Sequence, residues 1–164
     1  MARDVPRAVL DTNVLVSALI TPLGPSARLL LELRTGAFEL VVSPMLLTEL
    51  REVLRREKFR RYVAQEEVDA YVELIRSESI IYEDPQPSSK PLGTDPDDEF
   101  LIDLAREALV DALVSGDAHL LELHHVVPAM TPGEFLTSLT GVSEATTRPR
   151  TGEVESEIGD DARQ

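Results

Sequence analysis

The sequence predicts an α/β protein in which a parallel sheet of four to five strands lies between two layers of helices. Short aliphatic runs alternate along the chain with longer segments whose apolar residues recur at helical spacing. Such alternation is typical of a parallel sheet covered on both faces. With 164 residues and 43% hydrophobic content, the chain is expected to form one domain with a single core.

The elements are predicted in order from these runs and from the residues that begin and end helices. Ser43 followed by Pro44 is typical of a helix start, and Gly36 is a plausible helix end. Strands are predicted at 5–11, 38–42, 80–82, 111–115 and 126–130. Helices are predicted at 12–20, 26–33, 44–57, 65–77, 96–109, 118–123 and 132–139, with a further helical segment at 59–63.

Two segments lack these patterns. Residues 84–93 contain three prolines, two serines and a glycine, which predicts a mobile loop. Residues 141–164 are polar, with six acidic and three basic residues, and we expect a disordered acidic tail. The predicted domain therefore spans residues 1–140.

Composition excludes several classes of function. The chain has no cysteine, which excludes disulfides, thiolate metal sites and cysteine nucleophiles. No segment reaches the roughly 18 uninterrupted apolar residues of a membrane span, so a soluble cytoplasmic protein is expected. The net charge of −14 argues against general coating of nucleic acid. Residues 51–61 run against this trend, because they hold six basic and only two acidic residues.

Two aspartates follow predicted strands. Asp11 ends the first strand, and Asp117 follows the strand at 111–115. Ligands of open α/β sheets bind outside the carboxyl ends of the strands, which is where both side chains should lie. Each could instead only cap the helix that follows it, and that alternative stays open for either residue alone.

Two further acids lie within predicted helices. Asp98 lies at the centre of the apolar stripe of its helix, whereas its neighbours Asp97, Glu99 and Asp103 point elsewhere. A core-facing acid needs a charged partner or a metal to offset its burial, although Asp98 could also support the first helical turn. Glu49 lies at the edge of an apolar stripe and has no capping role, but it could pair with Arg56.

Together the four acids predict a hard-cation site. Clustered carboxylates raise one another's pKa, so a fold would keep them together only with a cation present. Oxygen ligands without cysteine, and without a well-placed histidine, favour Mg²⁺ or Mn²⁺ over Zn²⁺. Sites of this kind hydrolyse phosphodiesters.

At these residues the sequence resembles the PIN-domain family, the fold of many VapC-like toxin ribonucleases. The resemblance extends over residues 7–139. It depends on four short motifs that occur in the family's order: Asp11-Thr12-Asn13, Thr48-Glu49-Leu50, Asp95-Pro-Asp-Asp-Glu-Phe-Leu101 and Val114-Ser-Gly-Asp-Ala-His-Leu120.

The resemblance implies a PIN-like three-layer fold and an endoribonuclease that uses Mg²⁺ or Mn²⁺. The implied catalytic residues and metal ligands are Asp11, Glu49, Asp98 and Asp117, with supporting roles for Asn13 and Ser115. It also implies a homodimer and a cognate antitoxin as partner. Many relatives carry a further acid two residues after the fourth aspartate. His119 stands there in this chain, which puts a second metal in doubt.

The expected mechanism is hydrolysis by an activated water. A metal held directly or through water by Asp11, Asp98 and Asp117 would lower the pKa of a water that attacks the phosphorus, with Glu49 orienting a water or a second metal. The basic segment would hold the RNA backbone, or else form a solvated face or an antitoxin-docking surface. Its candidate RNA-binding residues are Arg51, Arg55, Arg56, Lys58, Arg60 and Arg61.

Single positions argue against two other classes of protein that also have an aspartate after the first strand. An aspartyl phosphatase would usually carry a second aspartate where Asn13 stands, and a phospho-receiver domain needs a lysine late in the sheet, but the chain has only Lys58 and Lys90. The adjacent His124 and His125 are expected in a solvated turn. Two alternatives stay open: a non-catalytic PIN-fold module that binds RNA or protein, and a housekeeping RNA-processing nuclease.

Overall fold

The computed structural model describes residues 4–92 and 94–146, with side chains as far as residue 141. Five parallel strands alternate with seven helices in this part of the chain. The strands are β1 (Arg7–Leu10), β2 (Glu39–Val42), β3 (Ser79–Ile81), β4 (Ala112–Val114) and β5 (Ala129–Met130). The helices are α1 (Thr12–Ile20), α2 (Pro25–Arg34), α3 (Pro44–Leu54), α4 (Gln65–Ser77), α5 (Pro96–Glu107), α6 (Ala118–Leu121) and α7 (Pro132–Thr146).

The order of the strands determines where a site can form. The sheet runs β3-β2-β1-β4-β5 and every pair is parallel. Right-handed crossovers put the helices between β1, β2 and β3 on one face and α5 and α6 on the other. The chain leaves β1 toward β2 but later returns to the opposite side of β1 as β4. The carboxyl ends of β1 and β4 therefore form the topological switch point, where α/β sheets bind ligands.

The predicted α/β/α fold with a parallel sheet is confirmed. Several boundaries were wrong. No helix forms at 59–63 as predicted. A 3₁₀ turn at Glu57–Phe59 precedes this segment, which continues as irregular turns. The strand expected at 126–130 is reduced to Ala129–Met130. The last helix continues to Thr146, beyond the expected domain end at residue 140, and the rest of the predicted tail lies outside the described residues.

The core is aliphatic, as the scarcity of aromatic residues requires. Leucines from both sheet and helices are fully buried, among them Leu10, Leu40, Leu50 and Leu113. Within the described residues, no single helix is long and apolar enough to cross a membrane. The pair formed by α1 and α2 has that length and composition only when counted together, and it is bent by 95°.

The proline-rich loop makes hydrogen bonds to α5 that the sequence does not predict. Acids one turn apart on α5 accept hydrogen bonds from its backbone. The Glu99 carboxylate accepts from the Leu92 N–H at 2.8 Å and from the Thr94 N–H and hydroxyl. Asp103 accepts from the Ser88 N–H at 3.2 Å, and is buried beneath the loop. Loop composition correctly predicts irregular backbone, whereas the contacts with the α5 acids appear only in the tertiary structure.

We expect Glu99→Ala to release this loop. The Leu92 and Thr94 amides lose their shared acceptor, and hydrogen bonds to charged groups contribute about 1.5–3 kcal/mol. Hydrogen exchange followed by mass spectrometry should show faster exchange in the loop, with β1 and β4 unchanged. Glu99→Gln, whose amide oxygen can still accept, should show an intermediate effect. Equal exchange in all three proteins would mean that Glu99 does not hold the loop.

Candidate active site

Asp11 and Asp117 lie together at the switch point and are joined through Ser115. The Ser115 side chain is fully buried. Its hydroxyl donates to Asp11 Oδ2 at 2.8 Å and accepts from the Asp117 N–H at 3.0 Å. The Asp11 N–H donates to the carbonyl of Val114, which continues the β1–β4 pairing. One hydroxyl thus sets the positions of both acids.

Both aspartates also cap helices. Asp11 Oδ1 accepts from the Asn13 N–H at 3.3 Å, and Asp117 Oδ1 accepts from the His119 N–H at 2.9 Å. The capping explanation and the site explanation that the sequence left open are therefore compatible. Capping turns one oxygen of each carboxylate toward the helix start, and this fixes the side-chain rotamer.

Glu49 reaches the same region from α3. The Thr12 hydroxyl, at the first residue of α1, donates to Glu49 Oε2 at 3.1 Å. Glu49 is half-buried, and Arg56 lowers its pKa only weakly compared with the effects that raise it. The Thr12 contact is a feature that the sequence analysis missed, since only the tertiary fold brings α1 and α3 side by side.

Asp98 enters from the opposite layer. The Asp95 side chain caps α5 by accepting a hydrogen bond from the Asp97 N–H at 2.9 Å. The helix therefore begins just before Asp98. Asp98 is half-buried whereas Asp97 is exposed, as the helical stripe predicts. Asp103 lies off the core-facing stripe of α5, as expected. It is nevertheless buried, because the proline-rich loop covers it.

All four predicted acids line one cavity of about 380 Å³. The predicted supporting residue Asn13 lines it too, while Ser115 lies beneath its floor. Other wall residues were not assigned to the acidic site from the sequence, among them the charged Asp95, Asp97 and Arg56. The full lining is Asp11, Thr12, Asn13, Glu49, Val53, Arg56, Asp95, Asp97, Asp98, Leu101, Asp117 and His119.

Burial and mutual repulsion raise the pKa of three of these carboxyl groups. The pKa of Asp98 rises to about 6, chiefly because burial penalises its charge and then because Asp117 and Asp11 repel it. Burial also raises the pKa of Asp11, against the lowering effect of the Ser115 hydroxyl. The pKa of Glu49 is raised by burial first and by Asp97 second. The cluster therefore holds unfavourable negative charge that a cation would offset.

The donor chemistry fits a hard divalent cation. The acids offer carboxylate oxygens, with no thiolate in the chain and with His119 at the margin, and this set suits Mg²⁺ or Mn²⁺. Among the described residues, no three acidic or histidine side chains converge closely enough to form a ready-made metal cluster. The carboxylates must turn toward one another to complete a coordination shell.

The basic segment divides into two groups. Arg51 and Arg55, which follow Glu49 on the chain, form ion pairs with Asp69 of α4 at 3.1 Å and 2.8 Å. The other predicted RNA-binding cations are exposed. Lys58 and Arg61 lie over the rings of Phe59 and Tyr62, and Arg60 is also solvent-facing. Of the six, Arg56 lines the acidic cavity.

The sequence matches the PIN domain family over residues 7–119. The chain belongs to the PIN domain family, whose members are nucleases. No curated protein sequence matches it.

Two solved structures share the fold at low sequence identity. One is PAE2754 from Pyrobaculum aerophilum, with 17% identity and a TM-score of 0.59, over 84% of this chain and 90% of that one. The other is VapBC2 from Rickettsia felis, bound to a DNA fragment from its promoter. It has 17% identity and a TM-score of 0.51, over 76% of this chain and 98% of that one.

We expect Asp98→Asn to stabilise the metal-free protein at neutral pH. The folded protein holds the Asp98 proton more tightly than the unfolded chain, because the pKa is about 6 when folded against an ordinary 3.8. Stability from this group is present below pH 3.8 and is lost as the pH rises through 6. Thermal unfolding in a chelator should show a higher Tm for the variant at neutral pH.

The difference in Tm should narrow as the pH falls below 6 and should be smallest below pH 3.8, where the wild-type carboxyl is protonated in both states. Adding Mn²⁺ at neutral pH should raise the Tm of the wild type more than that of the variant. A difference in Tm between the two proteins that stays the same at every pH would contradict a raised pKa for Asp98.

Proposed function

We propose that this protein is a metal-dependent endoribonuclease that hydrolyses RNA phosphodiester bonds and serves as the toxin of a toxin–antitoxin pair. The observation that carries the proposal is the single cavity lined by Asp11, Glu49, Asp98 and Asp117 at the carboxyl edge of the sheet. Membership of a nuclease family supports the reaction class. The location predicted from the sequence, the cytoplasm, stays a prediction.

In this proposal the four acids divide two tasks between them. Asp11, Asp98 and Asp117 would hold Mg²⁺ or Mn²⁺, which when bound would supply an acidified water and stabilise charge on the leaving oxygen. Glu49 would orient the water by accepting a hydrogen bond from it. Thr12 keeps Glu49 aimed into the cavity through its 3.1 Å contact. Ser115 holds Asp11 and the backbone of Asp117 in register, and Asn13 borders the substrate.

Arg56 and the exposed cations that follow it on the chain are proposed to hold the RNA backbone. Arg56 lies in the cavity wall, and Lys58, Arg60 and Arg61 follow it on the chain. A strongly acidic protein would otherwise repel RNA, so a local basic surface is required for docking. The pairs with Asp69 leave Arg51 and Arg55 less available for this task.

The partners of this proposal are an antitoxin protein and a second copy of the chain. Support comes from the shared fold with VapBC2 and from the acidic cavity, which a basic antitoxin segment could fill. A housekeeping RNA-processing nuclease would use the same four acids. The gene neighbourhood separates these two roles, because a toxin gene should adjoin a small gene that encodes a DNA-binding protein.

We expect Asp11→Asn and Asp98→Asn each to lower Mn²⁺-dependent cleavage of single-stranded RNA by more than about 100-fold. Losing even an outer partner of a metal ligand typically costs 10–100-fold, and a direct ligand should cost more. Ser115→Ala, which removes only such a partner, should lose about 10–100-fold. Initial rates with end-labelled RNA, and calorimetric titration with Mn²⁺, measure both activity and metal affinity.

Glu66→Gln is the matched control, since it neutralises an exposed acid on α4 that does not line the cavity. It should cleave RNA at the wild-type rate. Full activity in Asp11→Asn or Asp98→Asn would contradict the mechanism. A wild-type protein that binds Mn²⁺ and RNA but cleaves nothing would favour the non-catalytic binding module.

We expect Arg60→Ala and Arg61→Ala each to weaken RNA binding and flatten its salt dependence. Each lost phosphate contact should reduce the log–log salt slope by about 0.7 for single strands. Asp69→Asn should act in the opposite direction, because it frees Arg51 and Arg55. Fluorescence anisotropy across a salt series measures the slope. Arg34→Ala, at the end of α2, is the control, and an equal slope in every variant would exclude this surface.

A further inference from the structure

A second cavity adjoins the acidic one and is not explained by metal chemistry. It measures about 620 Å³ and shares Glu49, Arg56 and Asp97 with the acidic cavity. These three side chains form the partition between the two. The volume lies within the range of about 300–1,000 Å³ that is typical of small-molecule sites.

The walls of the second cavity come from α3 and from the start of α5. Its apolar members are Met45 and Phe100, together with the prolines at the first positions of both helices, Pro44 and Pro96. Met45 is 55% exposed, so its side chain is open to a ligand in the cavity. Phe100 is half-buried, so part of its ring remains accessible.

Contacts around this cavity fix its shape. The Asp84 carboxylate, from the loop after β3, accepts the Met45 N–H at 2.9 Å and also lines the cavity. The start of α3 is thereby tied to the loop that α5 holds through Glu99 and Asp103. Met45 and Phe100 therefore line a cavity whose walls are joined to each other through the loop after β3.

The two cavities form a row along the carboxyl edge of the sheet. The acidic cavity lies beyond β1 and β4, and the second contains the residues that follow β2 and β3, since α3 follows β2 and Asp84 follows β3. In the strand order β3-β2-β1-β4 these positions are adjacent. A single nucleic-acid strand lying along this edge would pass from one cavity directly into the other.

The chemistry of the row changes from one end to the other. The acidic cavity suits a cation and a reacting phosphate, whereas the second cavity adds to its carboxylates an aromatic ring, a thioether and two proline rings. Aromatic and apolar faces bind single-stranded bases by stacking, with little preference for sequence. Arg56 stands between them, where it can contact the phosphate that links two neighbouring nucleotides.

We propose that the second cavity is a subsite for the nucleobase next to the scissile phosphate. The base stacks on Phe100 and Met45 while Arg56 contacts the backbone at the partition. Two carboxylates on the wall, Asp84 and Glu52, can accept hydrogen bonds from amino groups on the base edge. This assignment depends on the proposed ribonuclease activity and adds to it a position on the substrate.

The test uses the full chain and RNA substrates that lack one base. Short single-stranded RNA of random sequence is first cleaved with Mn²⁺ to locate a preferred cut. That RNA is then synthesised with an abasic nucleotide at each position flanking the cut in turn. For the wild type, one of these substitutions should raise KM by about 5- to 150-fold, the range for loss of one stacked base, with little change in kcat.

Phe100→Leu and Met45→Ala should remove most of this dependence on the base. Leucine preserves much of the packing of Phe100 against the core, and Met45 is exposed enough for alanine to be tolerated. Both variants should show a raised KM on intact RNA and little further change on the abasic RNA. Leu31→Ala, at a side chain that is 64% exposed on α2 and lines neither cavity, should behave as the wild type.

The outcomes separate the subsite from the activity. If the wild type cleaves RNA but Phe100→Leu and Met45→Ala respond to the abasic positions as the wild type does, the subsite is wrong and the nuclease proposal stands. A protein side chain would then be the better candidate for the occupant. If the wild type cleaves none of the RNA, both proposals are overturned. Loss of the abasic effect in the two variants supports the subsite.

Discussion

The hydrogen bonds of the buried Ser115 hydroxyl are the constraint on which the site depends. This hydroxyl joins Asp11, at the end of the central strand, to the backbone of Asp117 beyond the neighbouring strand. The two strands are distant in sequence, and after them the chain turns to opposite sides of the sheet. Besides the backbone pairing of β1 with β4 and the helix caps, the Ser115 hydroxyl is the contact that joins these two mutually repelling carboxylate positions.

The carboxylates of the acidic cavity are not neutralised by the neighbouring arginines. Burial, and then repulsion from neighbouring acids, raise the pKa of Asp11, Glu49 and Asp98, and the pKa of Asp98, at the start of α5, rises to about 6. Two nearby arginines that could neutralise them are paired elsewhere, with Asp69. Arg56 is the cation in the wall, and its effect on Glu49 is the smallest of those that act on that residue. The net negative field is therefore left for a divalent ion to balance.

The elements with strong local patterns were predictable. The first helix and the helix at Gln65–Ser77 have the predicted bounds, because their apolar periodicity and flanking residues agree. Weak patterns failed: the segment at 59–63 is apolar enough for a helix but is too short to form one alone. Proline content correctly indicated a loop after β3. Its hydrogen bonds to Glu99 and Asp103 could not be predicted in this way, because these residues belong to α5 and not to the loop itself.

The sequence by itself determined the α/β class, the four acids and the choice of Asp98 over Asp97, since periodicity and strand ends are local properties of the chain. Only the tertiary structure decided that these acids share one cavity, that Thr12 contacts Glu49, and that Arg56 stands between this cavity and the next. The physical reason is that strand order is set by packing and crossover handedness, which no short window of sequence contains.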